Sequence, residues 1–175
     1  MISILLVGLD NSGKSTLLAH AKPVPVLPTQ VDGCIEILPT YGFAIEQMMS
    51  PSGRKVLLYD CAGGTRYRSM WDFFAGECDG VIYVIDSADK VRLSLAKTNI
   101  EDFLRHPLLA RKPVVFVANK QDLPEALKKE DVKRLLSLDK KTIHQPFSIK
   151  PGSAITGMGL NDALTFLEAN LAKLA

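Results

Sequence analysis

Gly8-Leu9-Asp10-Asn11-Ser12-Gly13-Lys14-Ser15 has the spacing G-x-x-x-x-G-K-S/T of a phosphate-binding loop. The run before it, Ile2-Ser3-Ile4-Leu5-Leu6-Val7, is short, apolar and β-branched, and predicts a buried strand. The run after it, Ser15-Thr16-Leu17-Leu18-Ala19-His20-Ala21, predicts the start of a helix. In that strand–loop–helix setting, Gly8 and Gly13 let the backbone turn so that its N–H groups converge on phosphate oxygens. The helix N-terminus adds partial positive charge. Lys14 can reach the outer phosphates, and the Ser15 hydroxyl can bind Mg²⁺. Asp10, Asn11, Ser12, Gly13, Lys14, Ser15 and Thr16 are therefore candidate contacts for a nucleoside triphosphate. A strand-to-helix turn without a ligand would not need the full pattern.

Outward from the loop, strand and helix patterns alternate. Lys22 to Pro39 holds Pro23, Pro25, Pro28 and Pro39, a density that excludes helix and central strand and predicts a long mobile loop. Phe43 to Met49 and Lys55 to Tyr59 flank the turn Ser50-Pro51-Ser52-Gly53 and predict a hairpin. Thr65 to Glu77 is helical or irregular and carries several aromatics. Gly80 to Asp86, Pro113 to Ala118 and Phe147 to Ile149 read as further strands. Helices are expected at about Val91–His106, Lys129–Leu136 and Leu160–Leu174, the last with Leu160, Ala163, Leu164, Leu167 and Leu171 on one face. The expected class is α/β: a mostly parallel sheet with helices on both faces and one antiparallel edge strand. At 175 residues, without a repeat or a composition break, one domain over residues 1–175 is expected.

Composition narrows the function classes. A charged fraction of 23% and a net charge of +2 give no prior for nucleic acid. Cys34, Cys61 and Cys78 are odd in number and lack C-x-x-C spacing, which favours a reducing compartment. The chain carries no membrane-spanning apolar run, signal peptide or N-myristoylation pattern.

In such sheets ligands sit at the carboxyl ends of the strands, and Gly8, Asp60, Asn119 and Ser153 each fall there. Asp60-Cys61-Ala62-Gly63 is a D-x-x-G downstream of the phosphate loop. Its carboxylate can hold Mg²⁺ through water, and Gly63 lets a backbone N–H approach a terminal phosphate. Asn119-Lys120-Gln121-Asp122 selects the base. The Asp122 carboxylate can accept from the N1–H and amino group of guanine, donors that adenine lacks. Lys120 can lie over the base plane, and Asn119 can tie loops together. Ser153-Ala154-Ile155 can offer backbone N–H groups to guanine O6. Thr40, at the end of the proline-rich segment, can join Ser15 and Asp60 on Mg²⁺ only when a third phosphate is present.

These motifs in order resemble the Ras-like small GTPases, and the finer residues resemble the ADP-ribosylation-factor-like branch. Gly8-Leu9-Asp10-Asn11-Ser12-Gly13-Lys14-Ser15 is similar to its G-L-D-x-x-G-K-S/T, with Asp10 where Ras has glycine. Pro39-Thr40-Tyr41-Gly42-Phe43 is similar to P-T-x-G-F, and Ala118-Asn119-Lys120-Gln121-Asp122-Leu123 to A-N-K-Q-D-L. The resemblance spans nearly the whole chain and implies a six-stranded GTPase fold. It implies a GTP/GDP switch with Mg²⁺ that recruits effector proteins at membranes, served by an exchange factor and a GTPase-activating protein. It also implies an apolar effector surface from Phe43, Tyr59 and Phe74, to which Trp71 is added. A monomer that binds no nucleic acid is expected. Arg66-Tyr67-Arg68-Ser69-Met70-Trp71 and Leu104-Arg105-His106-Pro107 are similar to the ciliary members, either the type that recruits the BBSome coat or the type that activates a fellow Arf-like GTPase.

Three departures shape the expectations. The family opens with an amphipathic, often lipidated helix, so a cytoplasmic protein is expected whose membrane or ciliary association depends on that helix. The Lys22–Pro39 segment is longer than usual. Most consequentially, the family carries Gln after D-x-x-G and this chain carries Gly64. That Gln orients the attacking water, as in the general example of Ras. With Lys14 and Thr40 at the terminal phosphate and no side chain at position 64, very slow intrinsic hydrolysis is expected. The alternatives are a GTP-dependent binding module that does not hydrolyse at all, and a P-loop phosphotransferase, which would have no use for N-K-x-D.

Overall fold

The computed structural model describes residues 1–20, 30–31, 34–35, 40–140 and 143–174. Strand β1 (Ile2–Val7) runs into the phosphate loop and helix α1 (Lys14–Ala19). Two-residue strands β2 (Gln30–Val31) and β3 (Cys34–Ile35) pair antiparallel. Strands β4 (Phe43–Met49) and β5 (Lys55–Cys61) form the hairpin. A 3₁₀ turn at Thr65–Tyr67 and helix α2 (Ser69–Glu77) precede β6 (Gly80–Asp86) and α3 (Leu93–Leu104). Then come β7 (Val114–Asn119), α4 (Lys129–Leu135), β8 (Phe147–Pro151) and α5 (Leu160–Leu174).

The main sheet has six strands in the order β4-β5-β1-β6-β7-β8, parallel except for the β4–β5 pair. Its two faces are built by the period-two alternation of strand side chains. Leu5, Val7, Val81, Tyr83, Ile85, Val114 and Phe116 point to one side, where α2, α3 and α4 cover them with Trp71, Ile100, Phe103 and Val132. Ile4, Leu6, Ile82, Val84, Val115 and Val117 point to the other, under Leu17 and Leu18 of α1 and Leu160, Ala163, Leu164 and Leu167 of α5. Burial on both faces is why β1, β6 and β7 read as continuous apolar runs.

Most of the expected elements form, with shifted ends. The long loop expected from Lys22 to Pro39 is corrected in part: it carries the β2–β3 ribbon, which among the described residues forms a two-stranded sheet of its own. The remainder of that segment, and its expected mobility, lie outside the described residues. Asp60 does not follow its strand but lies inside β5, opposite Ala44 of β4 and Leu6 of β1. Ladder hydrogen bonds on both sides therefore hold its backbone. The hairpin turn is fastened to α5. The Ser50 and Ser52 hydroxyls both donate to the buried Glu168 Oε1, at 2.6 and 2.7 Å.

Trp71, expected on the effector surface, is a correction. It is 1% exposed, its indole N–H donates to the Ala62 carbonyl at 3.1 Å, and its ring meets Tyr83 and Phe103 edge-on. Trp71, Phe74 and Ala75 share the inner face of α2 by i, i+3, i+4 spacing. Phe74 is also buried, stacked 4.6 Å from the Tyr59 ring and 4.9 Å from the Phe43 ring. It supports that surface from beneath, and the aromatic α2 exposes is Phe73, edge-on to Phe74. Among the described residues no helix is long and apolar enough to cross a membrane.

Candidate functional site

The cleft at the carboxyl ends of β1 and β5 is lined by Asp10, Asn11, Gly13, Lys14, Ser15, Thr16, Thr40, Tyr41, Ala62, Gly63, Gly64 and Tyr67. Two of its loops are wound tightly. Gly13 has φ 94°, and a Cβ there would collide with the Asn119 side-chain amide. A Cβ on Gly63 would collide with the backbone of Gly8, Leu9 and Asp10, so the D-x-x-G turn lies directly on the phosphate loop. Asn11 and Lys120, both in loops of the site, have φ of 60° and 66°. Such backbone in non-glycine residues persists only where its surroundings enforce it.

Lys14 is buried, and its ammonium donates to the carbonyls of Gly8 at 3.0 Å and Leu9 at 2.9 Å. Burial pulls its pKa down to about 8, opposed by the nearby Asp60 carboxylate. An ammonium poorly solvated by two carbonyls gains strongly from an arriving phosphate.

Three oxygens from three separate segments converge beside it. Ser15 Oγ donates to Asp60 Oδ2 at 2.9 Å and lies 2.8 Å from Thr40 Oγ1, which in turn donates to Asp60 Oδ2 at 3.4 Å. Asp60 Oδ1 is buried and has no hydrogen-bond partner among the described residues. Burial pushes the Asp60 carboxyl above its usual range, and the Ser15 hydroxyl opposes that shift. An orphaned carboxylate oxygen beside two hydroxyls is a hard-oxygen set that fits Mg²⁺.

A second cluster lies on the adjoining strand ends. Asn119 is fully buried. Its amide donates to the Ser12 carbonyl at 2.7 Å, and its Oδ1 accepts from Ala154 N at 2.9 Å, so it binds the phosphate loop to the 153–155 turn. Lys120 Nζ pairs with Asp86 Oδ2 at 2.6 Å, and the exposed Asp122 accepts from the Ser153 hydroxyl at 2.5 Å. Ser153 and Ala154 are buried, whereas the Ile155 side chain is exposed. Asp122 and Ser153 follow β7 and β8, so this pair lies at the carboxyl ends of those strands.

Position 64 is open. Among the described residues a Cβ there would meet only a Tyr67 ring carbon, at 3.7 Å. Tyr41 and Tyr67 line the cleft although neither was singled out by motif; adjacency to Thr40 and Gly64 was the available signal. Arg92 was also missed. It reaches Asp10 from the start of α3, 82 positions away, and an isolated arginine carries no signal in sequence.

Fold and site together define a P-loop nucleotide-binding protein of the small-GTPase class. The profile of the ADP-ribosylation factor family matches residues 1–171, and the chain belongs to that family. It is 35% identical over 169 residues to ADP-ribosylation factor-like protein 6 of Danio rerio, covering 95% of this chain and 87% of the relative. It is 36% identical over 160 residues to ADP-ribosylation factor-like protein 14 of Mus musculus, covering 91% of this chain and 79% of the relative. The Arl6 BBS3 small GTPase from Trypanosoma brucei, solved with the bound nucleotide analogue GppNp, superposes with a TM-score of 0.86 at 27% identity, over 99% of both chains. As an Arf-family small GTPase the protein binds GTP and GDP with Mg²⁺ and is a GTP hydrolase, and proteins of this kind bind effectors, exchange factors and GTPase-activating proteins.

Proposed function

We propose that the chain is a long-lived GTP-state switch that recruits effectors in membrane or ciliary trafficking. The observation that carries this is the pairing of a closed Ser15–Thr40–Asp60 oxygen cluster with a bare position 64. The cluster holds Thr40, three residues before Phe43, which couples phosphate occupancy to the Phe43–Tyr59–Phe74 surface. Mg²⁺ held there would neutralise charge on the outer phosphates. Lys14 holds those phosphates, the backbone of Asp10 to Thr16 cradles them, and the Gly63 N–H faces the terminal one. Asn119, Lys120, Asp122 and the Ser153-Ala154-Ile155 turn select guanine. Gly64 supplies nothing to orient water, so intrinsic hydrolysis is very slow and the bound triphosphate persists. The chain works as one domain and as a monomer on the cytoplasmic side of its membrane.

The ciliary assignment is supported by likeness to the Arl6 relatives and by the Arg66–Trp71 segment. Two measurements test the reading. In a fluorescent-nucleotide titration with Mg²⁺, GTP and GDP bind and ATP does not; tight ATP binding would revive a phosphotransferase. In affinity capture, protein loaded with a non-hydrolysable GTP analogue retains partners that the GDP form does not. Identical partner sets would overturn the switch.

A further inference from the structure

Asp10 is an anomaly for a loop that receives polyphosphate. Asp10 lines the cleft, its side chain is 60% exposed, and its backbone lies against Gly63, at the terminal-phosphate end. A negative charge there repels the ligand. Arg92 meets it directly. Arg92 Nη2 pairs with Asp10 Oδ1 at 2.5 Å, and Nη1 of the same guanidinium donates to the Asp10 carbonyl at 3.3 Å. The planar fork of arginine is suited to grip a carboxylate and a carbonyl at once, which a lysine ammonium cannot do with fixed geometry.

Arg92 is itself held. Its backbone N–H donates to Asp89 Oδ1 at 3.1 Å, and its Nε lies 4.0 Å from Asp89 Oδ2. Asp86 Oδ1 accepts from the N–H groups of Ala88 and Asp89, and Asp86 Oδ2 pairs with Lys120. The β6–α3 loop therefore connects Asp10, beside the phosphates, to Lys120, in the base-reading loop.

We propose that Arg92 is a positioning residue for nucleotide binding: it neutralises Asp10 and draws the carboxylate aside, so that the phosphate loop accepts the extra charge of a triphosphate. This rests on the guanine-nucleotide reading of the site. Removing Arg92 unmasks the acid, and the loss grows with the charge of the ligand. With the acid removed as well, that loss disappears.

The test is equilibrium binding of fluorescent GDP and a non-hydrolysable GTP analogue, with Mg²⁺ and at two salt concentrations, beside thermal unfolding. Arg92→Gln is expected to weaken the GTP analogue by roughly 3- to 10-fold, GDP by less, with the difference shrinking at high salt. Arg92→Lys keeps part of the affinity. In an Asp10→Asn background the effect of Arg92→Gln vanishes: the double variant binds like Asp10→Asn alone, whatever the affinity of that variant. An Arg92→Gln variant with unchanged affinity overturns the inference, as does a double variant weaker than Asp10→Asn by the factor that Arg92→Gln shows in wild type. If Arg92→Gln fails to fold, Arg92→Lys takes its place in the same comparison, with the same outcomes. Wild-type protein that binds neither nucleotide refutes the reading of the site; normal wild-type binding with an insensitive Arg92 refutes only this inference.

Discussion

The side-chain amide of Asn119 donates to the backbone carbonyl of Ser12 at 2.7 Å, fastening the end of β7 to the phosphate loop. Because the same side chain also accepts from Ala154 N, Asn119→Ala leaves a buried carbonyl and a buried N–H unpaired. Each such loss costs about 1–3 kcal/mol. The melting temperature should fall by roughly 2–4 °C per kcal/mol in a chain of this size. GDP dissociation, followed by fluorescence, should accelerate by at least about tenfold, since both phosphate and base loops lose their common anchor.

Position 64 has room for a side chain, with only the Tyr67 ring, at 3.7 Å, nearby among the described residues. Its backbone, φ −64° and ψ 143°, is open to any residue. Gly64→Gln is therefore expected to fold as wild type and to raise single-turnover GTP hydrolysis by about 10²- to 10⁴-fold. A variant no faster than wild type would remove Gly64 as the cause of slow turnover.

The oxygen cluster makes a prediction about metal. In wild type, chelation of Mg²⁺ should speed nucleotide release sharply. In Asp60→Ala the carboxylate that gathers Ser15 and Thr40 is gone, so release should already be fast and EDTA should add little. A full EDTA effect in the variant would place the metal elsewhere.

Trp71 is expected to matter for stability rather than for partner binding. Trp71→Ala should cost about 3–5 kcal/mol by cavity formation and loss of the bond to Ala62 O, measured by chemical denaturation. Phe73→Ala should leave stability within about 0.5 kcal/mol and weaken effector capture.

Cys78 supplies the pH prediction. Burial pushes its thiol up to about 11. At pH 8 only about one part in a thousand is thiolate, so alkylation by iodoacetamide should be slow in the native protein and fast in denaturant, as mass spectrometry would show. Its folded pKa is raised above the unfolded value of 9.0, so its contribution to stability is full below that value and is lost as pH rises through 11. Denaturation midpoints should decline over that window.

Much of the fold was legible because its signals are local. Apolar runs such as Val81–Ile85 have the length and β-branching of strands buried on both faces, and the Ser50–Gly53 turn marks a hairpin. The proline-rich segment misled because proline excludes central strands, not the short, separate ribbon of Gln30–Val31 with Cys34–Ile35. Trp71 misled because a helical aromatic near a switch can face either way. Only the packing of α2 on Tyr83 and Phe103 settles which way it faces.

What the sequence determined by itself was the ligand class, because the runs proposed to recognise phosphate and guanine are short and local in the chain: Gly8 to Ser15, Asp60 to Gly63, and Asn119 to Asp122. It also determined that position 64 has no side chain, a fact about composition that no packing can change. What only the tertiary structure decided were relations across the chain. They include Ser15 with Thr40 and Asp60, Asn119 with Ser12, Glu168 with Ser50 and Ser52, and Arg92 with Asp10. Hydrogen bonds and ion pairs act over about 3 Å, and separations of 25 to 118 positions close to that distance only when the sheet order brings strand ends side by side.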